Sequence, residues 1–502
     1  MSISLLLEMS ASTDPDRTAV VSDDVRVTVG DLARIADRGA ARIVATGASR
    51  VAYVGTGGIM LPLLIFSSAQ AGTAFTPLNY RLGESALLEL IDRLPEPLVV
   101  ADAEYVDVVR RSGRPVIESS EFLASLDEPL DDADAAATEI DPDDVAVVLF
   151  TSGTTSRPKA VELTHANLTS YIMGTVEFAS ADPEDAVLIC VPPYHIAGVG
   201  AALSNLYAGR RMVYLRKFDP AGWLDLVLGE AITNATVVPT MLDRIIGVLD
   251  EEPRALPTLR TLAYGGSKVP LPLVRRTLEL LPDVGLVNAY GLTETSSTIA
   301  VLTPEDHWAA RDSDDPAVVR RLGSVGRPVP GIELEIRGDD GGQVPHGETG
   351  ELFIRGAQVS GKYSDIGSVL DADGWFPTRD IAAFDEEGYL YIGGRSDDTI
   401  IRGGENIAPA ELEDVLVEHP QVRSVAVVGV DDAEWGQAIV AVVVPVSGEA
   451  PEPDDLRAYV RDRLRGSRTP DRVVFRTDLP TTPTGKLLRR VLVDELRPAR
   501  AE

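Results

Sequence analysis

The sequence predicts an α/β fold, with a large N-terminal domain of mixed sheets flanked by helices and a smaller α+β domain after it. Three observations lead to this. Apolar runs of strand length alternate with segments of helical periodicity through most of the chain. The pattern breaks and restarts near residue 395. The length, 502 residues, exceeds what a single compact core accommodates.

Taken in order, VAYVGTG (51–57) reads as a strand, LPLLIFSSAQAG (61–72) as a helix and TAFTPLN (73–79) as extended chain. The strand pattern recurs at PLVVAD (97–102), VAVVLF (145–150) and AVLICV (186–191), each followed by a turn or helix. Between 126 and 144 the chain turns acidic and Ala-rich, as a surface linker does. After GYLYIGGRSDD (388–398), a helix is expected at 408–419, strands at 422–430 and 438–446, and a helix at 453–464. Gly-Gly before Arg395 and paired aspartates after it mark a hinge. The domains are therefore set at 1–394 and 395–502.

Hydrophobic residues make up 44% of the chain and charged residues 25%, an ordinary folded composition. A net charge of −32 argues against nucleic acid or an anionic membrane surface as partner. The lone Cys190 excludes an internal disulfide framework and, set in an apolar run, reads as buried filling. The first residues lack the basic n-region of a secretory signal, and no run approaches the roughly 20 apolar residues of a membrane span. A cytoplasmic setting follows, with a homodimer left open. Of the 46 basic residues only five are lysine (159, 217, 268, 362 and 486). In so arginine-biased a chain, a retained lysine points to a place that needs a compact ammonium.

The stretch FTSGTTSRPKAVELTH (150–165) follows a predicted strand and leads to a helix that Thr164 can cap, so it is expected as a strand-to-helix loop. Thr151, Ser152, Gly153, Thr154, Thr155, Ser156 and Lys159 offer hydroxyls, backbone N–H groups, close approach and positive charge, a set that suits phosphate oxygens. It is not a Walker A loop, and a Ser/Thr-rich surface turn is the competing reading.

This stretch resembles the phosphate loop of the adenylate-forming superfamily of acyl-CoA and aryl-CoA synthetases, luciferases and peptide-synthetase adenylation domains. Further signatures of that superfamily follow in order: PPYHIAG (192–198), YGGSKVP (264–270), NAYGLTET (288–295), GSVGRPVPG (323–331), GELFIRG (350–356), DGWFPTRDIA (373–382), GRSDDTIIRGGENIAPAELE (394–413) and PTTPTGK (480–486). The resemblance implies an AMP-forming acid:CoA ligase with ATP, Mg²⁺ and coenzyme A. A carboxylate is first adenylated with release of pyrophosphate, and a thiol then displaces AMP.

Residue by residue, the resemblance implies that Thr151 to Lys159 hold the β- and γ-phosphates. Thr293 meets the α-phosphate, and Glu294 holds Mg²⁺. Tyr290 stacks on adenine against Gly265, Gly266 and Ser267. Asp380 and Arg395 take the ribose, and Lys486 is the catalytic lysine. The small C-terminal domain is implied to be mobile, turning about Asp397 to bring Gly403, Gly404 and Glu405 to the CoA tunnel. Tyr194, His195, Tyr264, Gly265 and Gly291 are implied acyl-pocket residues. His195 is an implied gate to that pocket or else a core histidine, and His165 an anchor of the loop-to-helix junction.

Several positions depart from the family pattern. Ser156 and Ala160 stand where glycines are usual, Arg379 precedes the ribose-binding acid where glycine is usual, Lys268 stands where a small or apolar residue is common, and Lys362-Tyr363 interrupts an aromatic pair. A left-handed backbone at such places would cost on the order of 1 kcal/mol per side chain. Two other readings therefore stay open: a stand-alone adenylation enzyme loading an acyl carrier protein, and a degenerate nucleotide-binding protein without catalysis. Between Val191 and Gly209 no acidic residue is present to pair with an amino acid's ammonium, which points to a carboxylic acid without an amino group.

Overall fold

The computed structural model of the chain describes residues 1–127, 139–151, 157–432, 434–446, 450–464, 466–482 and 486–497. Most of the acidic, Ala-rich stretch, and Ser152 to Ser156 of the phosphate loop, lie outside the described residues.

Two large sheets form the body of the molecule. The first has eight strands and contains Val145–Thr151 and, beside it, Ala74–Pro77, Arg50–Val54 and Pro97–Ala101. The second has nine, in which Ala186–Ile189, Asn234–Val237, Thr261–Gly265 and Gly285–Leu292 run parallel. Strands of a parallel sheet are covered on both faces, so they are apolar throughout. Accordingly Pro97–Ala101 and Ala186–Ile189 are buried at every position. The helices Val29–Thr46, Met60–Gln70 and Ile196–Ala208 supply residues to one continuous core with these strands.

A third sheet of four antiparallel strands, Glu333–Arg337, Gly350–Arg355, Phe376–Phe384 and Leu390–Arg395, closes the N-terminal part. Its register sets Asp380 directly opposite Arg395. A short 3-10 turn, Ser396–Asp398, leads into a hairpin (Ile400–Arg402 with Glu405–Ile407) and a three-stranded sheet (Val422–Asp432, Gly436–Pro445, Arg472–Phe475). Side chains alternate across strand Val422–Asp432. Val427 packs with Leu412, Leu416 and Leu456, whereas Ala426 and Val428 pack with Leu492 on the opposite face.

One local expectation is corrected. The phosphate loop does not pass straight from strand to helix. Lys159–Thr164 forms a second strand, antiparallel to Val145–Thr151, and the loop joins the two. Thr164 does cap the helix His165–Thr175, accepting the Asn167 N–H in a capping box. Ala160 therefore sits in a regular strand, 4% exposed and without the left-handed backbone a glycine would serve. Among the described residues no helix is long and apolar enough to cross a membrane.

Candidate active site

The site lies where the C-terminal ends of the parallel strands meet the third sheet and the C-terminal segment. At its centre is Asp380, only 5% exposed. Its Oδ1 accepts from Arg395 Nη1 at 3.0 Å and its Oδ2 from the Tyr290 hydroxyl at 2.5 Å. Arg395 also donates to the Thr378 carbonyl at 3.0 Å, and the Thr378 hydroxyl accepts the Asp380 N–H. Burial first, and then the Asp380 charge, raise the Tyr290 phenol well above its ordinary range, so it stays a donor. Each carboxylate oxygen has a second acceptor position, so Asp380 can still receive two vicinal hydroxyls.

Tyr290 lies on Gly285–Leu292, whose neighbour Thr261–Gly265 pairs Gly265 with Ala289. A Cβ on Gly291 would fall 1.7 Å from the Ser297 carbonyl oxygen, so only glycine fits beside the bulge that follows Tyr290. The chain next forms a tight turn through Thr293, Glu294 and Thr295, and Ser296 and Ser297 take the positive φ values of 55° and 117°. Gln358, unmarked in the sequence reading, braces this turn by donating to the carbonyls of Thr295 and Thr298 at 2.9 Å each.

Glu294 and Lys159 are brought together by a residue that the sequence had flagged only as a departure. The Tyr363 hydroxyl donates to Glu294 Oε1 at 2.8 Å, while Lys159 Nζ stands 5.5 Å from the centre of the Tyr363 ring. The ends of the phosphate loop are held by the pairing of Thr151 with Lys159. Arg93 steadies the exit by donating to the Pro158 carbonyl at 2.8 Å.

Lys486 comes from the far C-terminal segment. Its backbone exchanges bonds with Thr482, N–H to Oγ1 at 3.0 Å and Thr482 N–H to O at 2.7 Å. Although the residue as a whole is exposed, its ammonium has a lowered pKa. Desolvation is the largest cause and Arg395 adds to it, against the attraction of Asp380, Asp398 and Glu294. Lys486 thus stands within electrostatic range of Asp380, Arg395 and Glu294. Lys268 reaches across the same junction, its Nζ 2.6 Å from Asp414 Oδ1 on the helix Pro409–Val417.

His195 precedes the helix Ile196–Ala208, with its ring 4.6 Å from that of Tyr194. Burial, and then Arg81, lower its pKa to about 4, so it is neutral near pH 7. Tyr194 is 5% exposed, and its hydroxyl is buried with no partner among the described residues. Tyr264 is a correction to the expected acyl pocket. It turns into the core, 1% exposed, with its hydroxyl 2.7 Å from His307 Nε2. On this strand Leu262 and Tyr264 share the core-facing side, while Ala263 and Gly265 face the other way. His165 ties down the N-terminal segment rather than the phosphate loop: its Nδ1 accepts the Ile3 N–H at 3.3 Å. Cys190 is buried against Met241 Sδ, and burial raises its thiol pKa to about 12, consistent with a filling role.

Arg379 has φ 64° with its side chain in solvent, so the backbone there is the left-handed one that glycine favours. Asp397 sits in the 3-10 turn between the third sheet and the C-terminal hairpin. Gly403 and Gly404 form the tip of that hairpin with φ 57° and 82°. Their neighbours belong to the C-terminal segment: the Trp435 carbonyl accepts the Gly403 N–H at 2.8 Å, and Glu405 pairs with Arg468.

Comparison with known proteins agrees with this geometry. The family model described as AMP-binding enzyme matches residues 7–364, and that of the AMP-binding enzyme C-terminal domain matches residues 411–486. A feruloyl-CoA synthase from an Amycolatopsis species is 35% identical over 433 residues, covering 85% of this chain and 84% of the relative. A fatty acid–[acyl-carrier-protein] ligase, ScoC from Streptomyces coeruleorubidus, is 31% identical, covering 86% and 83%. The solved o-succinylbenzoate CoA synthetase of Bacillus subtilis, in complex with its acyl-adenylate intermediate, superposes with a TM-score of 0.83 at 27% identity, covering 99% of this chain and 98% of that one. The chain belongs to the AMP-binding enzyme family, among its AMP-forming acid–thiol ligases.

Proposed function

We propose that the chain is an ATP-dependent carboxylic acid:CoA ligase. The observation that carries this reading is the convergence of Lys486, from the C-terminal segment, on the Asp380–Arg395 pair and Glu294. In the first step a substrate carboxylate oxygen attacks the α-phosphorus of ATP, the bond to the β-phosphate breaks, and pyrophosphate leaves. In the second the thiol sulfur of CoA attacks the acyl carbon, the bond to AMP breaks, and the thiol proton passes to solvent.

Asp380 and Arg395 hold the ribose, and Tyr290 with Gly265, Gly266 and Ser267 holds the adenine. Thr151 to Lys159 hold the outer phosphates, and Thr293 the α-phosphate. Lys486 places one positive charge between carboxylate and α-phosphate, where two anions must meet. Among the described residues no group of three metal-ligating side chains occurs, and Glu294 is the carboxylate that the Tyr363 hydroxyl holds beside Lys159. That donor set fits Mg²⁺, which takes one or two carboxylates and completes its shell with phosphate oxygens and water. Bound there, the ion would neutralise phosphate charge.

The boundary is proposed at residues 394 and 395, with Asp397 as the hinge that exchanges Lys486 for Gly403, Gly404 and Glu405 between the two steps. The acid is proposed to be aryl and to lack an amino group. Feruloyl-CoA synthase is among the relatives, no acidic residue lies between Val191 and Gly209, and the buried Tyr194 hydroxyl offers a hydrogen bond to a ring substituent. A carrier-protein thiol is the second reading for the acceptor, favoured by the likeness to ScoC.

Pyrophosphate exchange dependent on an aryl acid, followed by thioester formation with free CoA, tests the reading. Absence of exchange across aryl, fatty and polycyclic acids overturns it, and turnover only with a carrier protein selects the second acceptor. Lys486→Ala should abolish exchange yet spare transfer from a supplied acyl-adenylate. Asp397→Pro should do the reverse.

A further inference from the structure

Tyr363 has no role in the reading above, yet it touches both halves of the phosphate side. Its hydroxyl donates to Glu294 Oε1 at 2.8 Å, and its ring carries Lys159 Nζ at 5.5 Å from the centroid. The side chain is 7% exposed. The segment that bears it is stitched to the strand leaving the phosphate loop: Tyr363 pairs with Val161, the Ser364 N–H donates to the Ala160 carbonyl at 2.9 Å, and Lys362 Nζ lies 3.1 Å from Glu162 Oε2. The same segment holds Glu294 by its backbone, the Ser360 N–H donating to the Glu294 carbonyl at 2.9 Å. Four of these six contacts involve Lys362 or Tyr363, the pair that departs from the family's aromatic pattern.

We infer that Tyr363 is a positioning residue for adenylation: it fixes the rotation of the Glu294 carboxylate and ties that carboxylate to Lys159, so that metal and outer phosphates are met in one geometry. A carboxylate on a flexible side chain can present either oxygen in many directions. One O–H donor on Oε1 restrains the carboxylate's rotation and leaves Oε2 to face the phosphates. The inference rests on the proposal that Glu294 is the metal-side carboxylate.

The test is Tyr363→Phe, which keeps the ring over Lys159 and the packing and removes only the hydroxyl. Binding of a non-hydrolysable ATP analogue is titrated calorimetrically with Mg²⁺ and with EDTA, beside Glu294→Gln. Loss of a hydrogen bond to a charged group predicts about tenfold weaker binding in Mg²⁺, little change in EDTA, and an unchanged KM for the acid. Transfer from a supplied acyl-adenylate to CoA should also be unchanged. Equal weakening in Mg²⁺ and EDTA, or parallel loss of acid binding and transfer, would make Tyr363 merely structural and overturn the inference. If Glu294→Gln abolishes the metal-dependent increment while Tyr363→Phe does nothing, the positioning role falls and the carboxylate's role stands. No effect of either variant overturns both.

Discussion

The Lys268–Asp414 pair gives the most direct handle on the two-step cycle. It joins the segment after Thr261–Gly265 to the helix Pro409–Val417, and it exists in the arrangement that brings Lys486 to the nucleotide side. The proposed rotation about Asp397 would break it. The two side chains are 46% and 59% exposed, so the pair belongs with surface ion pairs worth about 0.2–1 kcal/mol. With RT about 0.59 kcal/mol, its loss should shift the equilibrium between the two arrangements by roughly 1.4- to 5-fold. Lys268→Ala and Asp414→Ala should therefore each raise transfer from a supplied acyl-adenylate to CoA by up to about fivefold, if rotation limits that step. Pyrophosphate exchange should be lowered or unchanged. The charge-swapped double variant, Lys268→Asp with Asp414→Lys, should return both rates toward the starting values. Near 1 M salt, where the screening length is about 3 Å, the single variants should converge on the parent. Equal changes in both half-reactions, or no recovery in the swap, would refute the reasoning.

Three further outcomes are expected. Arg379→Gly should be more stable than Arg379→Ala by about 1 kcal/mol in urea unfolding, because both lose the guanidinium and only glycine accepts φ 64° freely. Ala160→Gly should destabilise by about 1 kcal/mol and leave the KM for ATP no lower, since that residue lies in a regular, buried strand. Burial, with a smaller push from the N-terminus, lowers the His165 pKa to about 4 from the usual 6.5, so between these values the unfolded chain binds the proton that the folded chain refuses. The stability from keeping it neutral is complete above about pH 6.5 and falls as pH drops toward 4. His165→Gln should accordingly remove about 2 kcal/mol of the loss measured between pH 7 and pH 5.

The sequence made legible what local chemistry decides. Apolar runs such as PLVVA became buried strands, Thr164 became a helix cap, and Arg379 fell on the left-handed backbone its glycine-like position foretold. What stayed hidden depends on partners far along the chain. KAVELT reads as the approach to the helix that Thr164 caps, and its Glu162 is a residue that a buried strand should reject. In the structure Glu162 is 9% exposed and satisfied by Lys362 and Ser364, some 200 residues later. Tyr264 was misplaced for a related reason: its hydroxyl finds His307 on a helix that no local pattern connects to it. Tyr363 and Lys268 could be marked as unusual, but their meaning came from Glu294 and Asp414, which only the fold brings near.

The five lysines show how a chain of charge −32 can handle a polyanion. Its overall field repels ATP, so attraction must come from cations not already neutralised at short range. Three of the lysines are committed: Lys217 to Glu104 at 3.0 Å, Lys268 to Asp414 at 2.6 Å and Lys362 to Glu162 at 3.1 Å. Among the described residues Lys159 and Lys486 have no carboxylate ion pair; one rests over the Tyr363 ring, and the other stands in electrostatic range of Asp380 and Glu294 with its pKa lowered. An ammonium held by a carboxylate would have to surrender that partner before meeting a phosphate. One held by a ring face, or only partly desolvated, gives up far less. The two lysines assigned to phosphate chemistry from sequence motifs are thus the two whose charge the fold leaves available.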